Sequence, residues 1–250
     1  MATKNIIIAA VDIKCETSSG QYSNAEYDKI IQITTTFKKY KDDECYLKHL
    51  IMLGNYDPID DVIIECYDNE KDVLLTWTRL MQRINPDMII GYNIFGFDFN
   101  YMHRRSQKID CRKDFVKLQR DGSEAMFMKC GKTGEESSYF LMKDRLQIDI
   151  LKFIQRKYKL NSYEFDNVVE YFLKEKIEKI EKIEKIDKIE KIEKIEKIEK
   201  IEKIDNIDNI DNIENSLDGL NICILCHVLF DKLKIPVDGR NLLSNECVKG

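Results

Sequence analysis

From Lys176 to Asn215 the chain repeats one three-residue unit, Ile-Glu-Lys drifting to Ile-Asp-Asn. An α-helix turns about 100° per residue, so each isoleucine lags the one before it by about 60° and the apolar row winds around the cylinder. No single face collects enough isoleucine to be buried, and the spacing is not the heptad of a coiled coil. Pairs such as Glu178/Lys182 and Glu181/Lys185 stand four residues apart, each stabilising a helix by a few tenths of a kcal/mol. The expectation is a solvated, partly frayed helix whose Asp-Asn end is disordered, with a partner-binding helix as the functional alternative. Either way the tract supplies no core. A folded domain must come from residues 1–175, with 216–250 left beyond the repeat.

Residues 5–13, NIIIAAVDI, are β-branched and apolar, which predicts a buried central strand. YDKIIQITTTF (27–37) predicts its hairpin partner, and YLKHLIML a third strand closed by Gly54-Asn55. From Asn69 to Ile84, Val73, Leu74, Trp77, Leu80, Met81 and Ile84 keep helical spacing, with Asn69 as N-cap and Pro86 as stop. MIIGY is a short buried strand and FDFNYMHRRSQ opens another helix. LQIDILKFI (146–154) runs from strand into helix, and 161–173 is an amphipathic helix. Strands first, then helices alternating around a mixed sheet, is an α/β pattern.

Composition excludes several classes. A net charge of −5 provides no global basic field, so any nucleic-acid groove has to be local. No stretch approaches the roughly 20 apolar residues of a membrane span, and the N-terminus lacks a leader pattern. The eight cysteines are scattered through a chain too long for a disulfide-stapled scaffold, which predicts reduced thiols in an intracellular compartment. Cys223-Ile-Leu-Cys226-His227 matches a haem-attachment spacing. In the apolar run ICILCHVLFDKL the favoured reading is two buried thiols and a core histidine.

Three segments carry a more specific signal. They are AAVDIKCETSSGQYSNAEYDKIIQI, PDMIIGYNIFGFDFNYMHRR and DRLQIDILKFIQRKYKLNSYEFDNVVEYFL. They resemble the first motif, the second motif and the approach to the third in the 3′–5′ exonuclease domain of family B DNA polymerases, especially those of large DNA viruses. The resemblance covers roughly residues 5–173 and resumes over about 219–239. It implies an RNase H-like exonuclease fold, a mixed sheet flanked by helices, here with a low-complexity insertion. It divides the chain into an exonuclease-like domain (1–175), the repeat (176–215), and a remnant of the third-motif helix leading towards a palm domain (216–250). On that alignment the chain ends before the palm, so no polymerase active site is expected in it.

The resemblance also implies a two-metal site, in which carboxylates hold two divalent ions about 3.5–4 Å apart to activate water and stabilise the leaving oxygen. Mg2+ or Mn2+ demands hard oxygen donors. Asp12 and Asp98 stand at the expected positions, as catalytic residues and metal ligands. The second carboxylate of the first motif is replaced by Lys14, on the same strand face as Asp12. In the third motif Ile222 replaces an aspartate, and Asp218, one turn back, is the one candidate for rescue. A protonated lysine offers donors only and coordinates no metal. Its charge would relieve repulsion between Asp12 and Asp98.

The leading expectation is therefore a catalytically silent exonuclease-like domain, needing no cofactor, with residual affinity for single-stranded DNA. Tyr92, Asn93, Phe97 and Tyr101 are candidates to contact bases, and Arg104 and Arg105 to contact phosphates. The alternatives are an active Mg2+-dependent exonuclease in DNA replication, and an interaction module or non-functional duplicate. Replication proteins are the implied partners, no membrane is, and the host cytoplasm or nucleus is the implied setting if the chain is viral.

Overall fold

A computed structural model describes residues 6–18, 20, 22–131, 137–173 and 208–235, with side chains in the last segment from Asp218 onwards. Its centre is a six-stranded sheet. The strands are β1 (Ile7–Cys15), β2 (Ile30–Lys39), β3 (Leu47–Leu53), β4 (Ile63–Tyr67), β5 (Met88–Gly91) and β8 (Leu146–Asp149), in the spatial order β4-β3-β2-β1-β5-β8. β1, β2 and β3 form an antiparallel meander. β4 joins β3, β5 joins β1 and β8 joins β5 in parallel. A separate hairpin pairs β6 (Met126–Cys130) with β7 (Ser137–Leu141). This is the mixed-sheet α/β architecture that the motifs imply; β4 and the hairpin are additions that short, half-polar runs do not announce.

The near-continuous apolar run of β1 follows from its position, because helices cover both faces of the sheet. Alternation sends its residues to opposite cores. Ala9, Val11 and Ile13 join α1 (Glu70–Ile84) and α2 (Asp98–Lys108) around Trp77, Phe99 and Met102. Ile8 and Ala10 face the other core, built from α4 (Ile150–Lys157), the helical residues 165–173 (α5) and α6 (Asp208–Lys232). The short α3 (Arg112–Phe115) seats Phe115 against Trp77. α1 forms as its caps dictate. The Asn69 side chain accepts the Asp72 N–H at 3.0 Å. Asn85 then turns left-handed, at φ 53°, to end the helix before Pro86.

The C-terminal half of α6 locks onto β2. Cys223 Sγ donates to the Thr34 carbonyl at 3.7 Å and His227 Nε2 donates to the Thr36 carbonyl at 3.3 Å. Lys38, almost fully buried, forms an ion pair with Asp231. Cys223 and Cys226 are fully buried, and burial raises both thiols well above their ordinary range. They are core thiols, as the apolar run implies. The described cysteines are free.

Residues 176–207 of the repeat lie outside the described residues, and so do 236–250. The Asp-Asn end, which the repeat's composition predicts to be disordered, is instead backbone-helical from Asp208 into the docked half of α6. Once that half is fixed, each added residue gains a hydrogen bond without a new nucleation cost, and acidic residues suit a helix N-terminus. The boundary drawn at 215/216 therefore falls inside one helix. No helix among the described residues is long and apolar enough to cross a membrane.

Candidate functional site

The site forms at the carboxyl ends of the parallel strands β1, β5 and β8, where an α/β sheet leaves a crevice. Gly91 ends β5, and a Cβ there would lie 2.3 Å from Ile94 Cγ2 and 2.7 Å from the Val11 carbonyl. Only glycine lets the 92–97 turn press against β1 and deliver Asp98 at the start of α2. Asp98 is 3% exposed, and its Oδ1 accepts the Ile13 N–H at 3.0 Å. That bond ties the helix terminus to β1 beside Asp12. Burial first, and then the Asp12 charge, hold the Asp98 carboxyl well above the usual carboxylate range. Burial pushes Asp12 up to about 7 against the lowering pull of Lys14.

Asp12 and Lys14 share the face of Ile8 and Ala10, so both look towards α6. Lys14 Nζ lies 3.8 Å from Asp218 Oδ2. Gly219 packs so closely that a Cβ there would lie 2.8 Å from Thr34 Oγ1, 2.9 Å from Gln32 Nε2 and 3.3 Å from Asp12 Oδ2. Ile222 rests against the second core. The structure thus brings Asp12, Asp98, Lys14 and Asp218 to one locality, with an apolar side chain at position 222.

Asp149 is a residue that the motif reading passes over. Its carboxylate accepts the N–H groups of Asn93 and Phe95, both at 3.0 Å, and caps α4 through the Lys152 N–H at 3.3 Å. It therefore clamps the turn that presents Asp98, with Asn93 held left-handed at φ 63°. The signal was an aspartate between a strand and a helix in LQIDILKF, the ordinary place for a cap.

The residues that the sequence assigns to nucleic acid divide. Tyr101 and Arg105 are largely buried, and of the two Tyr101 lines the aromatic cleft between α2 and the β1–β2 loop. Tyr101 is buried and its hydroxyl donates to the Asp28 carbonyl at 3.0 Å. Arg105 is buried and its guanidinium grips Glu70 through two nitrogens, with Nε at 2.8 Å, and bonds the Ala25 carbonyl at 3.0 Å. Both are spent on holding α2 to α1 and to the β1–β2 loop. Tyr92 donates to the Tyr163 carbonyl and packs edge-on against Phe165, at 4.9 Å between ring centroids. The backbone N–H of Asn93 is taken by Asp149. Phe97 is 37% exposed. Arg104 is partly exposed and pairs with Glu26 at 3.2 Å, which also meets Lys108 at 3.7 Å.

Phe97 lines a cleft of about 760 Å³ between α2 and the β1–β2 loop, with Tyr22, Tyr27, Asn100 and Arg104. Tyr22 and Tyr27 are largely exposed, at 83% and 76%. Asp28 holds this loop by accepting from the Ser18 N–H at 3.1 Å and the Asn24 N–H at 2.6 Å. The cleft is aromatic and only weakly basic, since its arginine already has a carboxylate partner. Both tyrosines lie in the first-motif segment, downstream of Asp12, where nothing marks them as ligand contacts.

A pair of divalent ions requires several hard oxygen donors converging on each ion. Here an ammonium stands at position 14 and an isoleucine at 222. Among the described residues no group of three or more His, Cys, Asp or Glu side chains is arranged to hold a metal ion. The donor set does not fit a two-metal centre.

The model of the DNA polymerase family B exonuclease domain matches residues 1–168. The DNA polymerase of Pyramimonas orientalis virus is 34% identical over 157 residues, which is 60% of this chain and 13% of that polymerase. The DNA polymerase of Phaeocystis pouchetii virus is 30% identical over 210 residues, covering 70% and 20%. The DNA polymerase delta catalytic subunit of Dictyostelium discoideum is 32% identical over 177 residues, covering 68% and 16%. The match thus spans no more than a fifth of these relatives' length.

Proposed function

The chain belongs to the exonuclease-domain family of family B DNA polymerases, and from that membership we propose a domain that keeps the fold, has lost phosphodiester hydrolysis, and holds single-stranded DNA weakly at its aromatic cleft. The observation that carries this reading is Lys14 on the carboxylate face, 3.8 Å from Asp218. A cation fixed there opposes metal binding by charge and by lack of lone pairs. Asp98, buried, and Asp12, half-buried, remain as an acidic pair without the partners that hydrolysis needs.

DNA affinity is argued from stacking. Exposed Tyr22 and Tyr27 offer ring faces to bases, at about 1–3 kcal/mol per stacked base. Two stacked bases set a dissociation constant on the order of 1 mM. Arg104 is shared with Glu26 and the chain carries a net −5 charge, so salt dependence is shallow. The proposed setting is intracellular, alongside replication proteins, in the host cytoplasm or nucleus if the chain is viral.

Two measurements on one sample test the reading. NMR titration with short oligothymidylate shifts the Tyr22 and Tyr27 ring signals, and the Tyr22→Ala/Tyr27→Ala double variant loses the response. End-labelled single-stranded DNA incubated with Mn2+ stays intact. Shortening of the DNA that disappears in Asp98→Ala overturns the non-catalytic reading in favour of an exonuclease using Asp12, Asp98 and Asp218.

A further inference from the structure

Asp12 and Asp98 crowd one end of the sheet, and α6 brings Asp218 to the same end. Carboxyl groups brought together as a helix docks resist ionisation unless a counter-charge accompanies them. Lys14 supplies it, rising from β1 beside Asp12 to within 3.8 Å of Asp218 Oδ2. One residue further on, Gly219 presses the helix backbone onto β1 and β2, 3.3 Å from Asp12 Oδ2 when measured from its absent Cβ. The place where α6 seats is thus the place where Lys14 crosses between sheet and helix.

We infer that the Lys14 ammonium is a built-in substitute for divalent ions as the tie between β1 and α6, so that this domain closes its acidic site without metal. The inference deepens the non-catalytic reading and is independent of DNA binding. A lysine suits the task because its three N–H donors accept loose geometry, whereas magnesium requires near-octahedral oxygens. Its side chain is 31% exposed and that of Asp218 is 68% exposed, so salt screens the pair. Its effect falls on the seating of α6 more than on global stability.

The test compares wild type, Lys14→Glu and Lys14→Gln in EDTA and in Mn2+, by thermal melting and by amide hydrogen exchange along α6. Wild type melts at the same temperature in both and protects α6 in both. Lys14→Glu exchanges faster along α6 in EDTA. It regains protection in Mn2+ and melts on the order of 3 °C higher when the ion is roughly tenfold above its dissociation constant. Lys14→Gln, a neutral variant chosen to fold even if Lys14→Glu does not, exchanges faster along α6 and gains nothing from Mn2+. The inference is overturned by a wild-type melting temperature that rises with Mn2+, or by Lys14→Gln leaving α6 exchange unchanged. A wild type that binds Mn2+ but leaves DNA intact removes this inference alone. One that ignores both Mn2+ and oligothymidylate removes only the DNA-binding claim.

Discussion

Replacing Gly219 by alanine sets two effects of opposite sign against each other. Within a helix, glycine to alanine is worth about 1 kcal/mol in favour of the fold. The added methyl, however, would lie 2.8 Å from Thr34 Oγ1 and 2.9 Å from Gln32 Nε2. Both partners are buried, and a 2.7 Å hydrogen bond joins them. Neither is a free chain end that can swing away. Overpacking of this kind costs about 1–3 kcal/mol, and parting the Gln32–Thr34 bond adds about 1 kcal/mol. The expected balance is a destabilisation of about 2 kcal/mol, or roughly 4–8 °C in melting temperature for a domain of this size. Calorimetry or urea unfolding reads it, with Asn221→Ala, on the exposed face of the same helix, as a control in which propensity acts alone. A Gly219→Ala variant that melts higher than wild type would show that α6 is not seated against β1 and β2, and the description of the site would fail with it.

Asp12→Asn stabilises the domain in alkali. The Asp12 carboxyl is raised from 3.8 to about 7, so what it contributes is full below pH 3.8 and is lost as pH rises through 7. The variant's advantage is on the order of 4 kcal/mol at pH 8 and vanishes towards pH 4 in a melt-versus-pH series. His227 has the opposite sign. Burial lowers it from 6.5 to about 4, so stability is full above pH 6.5 and falls as pH drops through 4; His227→Gln flattens that acid limb in the same series. Asp149→Ala frees the N–H groups of Asn93, Phe95 and Lys152. It costs about 2–4 kcal/mol, with hydrogen exchange rising first in the 92–97 turn.

Much of this arrangement is legible in the chain because several local rules agree. Asn69 and Pro86 bracket a run with helical apolar spacing, and α1 appears between them. The uninterrupted apolar stretch of β1 predicts a strand buried on both faces, and both faces are covered. The edge and hairpin strands are harder to read. Ile63–Tyr67 and Met126–Cys130 carry half-exposed side chains whose pairing is fixed by neighbours far along the chain. Among site residues, the resemblance to the exonuclease motifs identifies Asp12, Lys14 and Asp98, but it does not say where a side chain's polar atoms are used. Arg105 reads as a phosphate ligand on a helix face, and only the fold shows Glu70 opposite it. Tyr22 reads as a loop residue and Tyr27 as the start of a strand, but β2 begins only at Ile30 and Asp28 braces the loop that holds both beside Phe97. Asp149 stands between strand and helix, the place of an ordinary cap, so its hold on the 92–97 turn is visible only in the fold.

The central claim concerns what balances the acidic pair, and anomalous scattering from crystals soaked in Mn2+ addresses it directly. The expected map shows no manganese between Asp12 and Asp98 and places the Lys14 ammonium between β1 and Asp218. Paired manganese peaks bridged by Asp12 and Asp98, with Lys14 turned out to solvent, would contradict it.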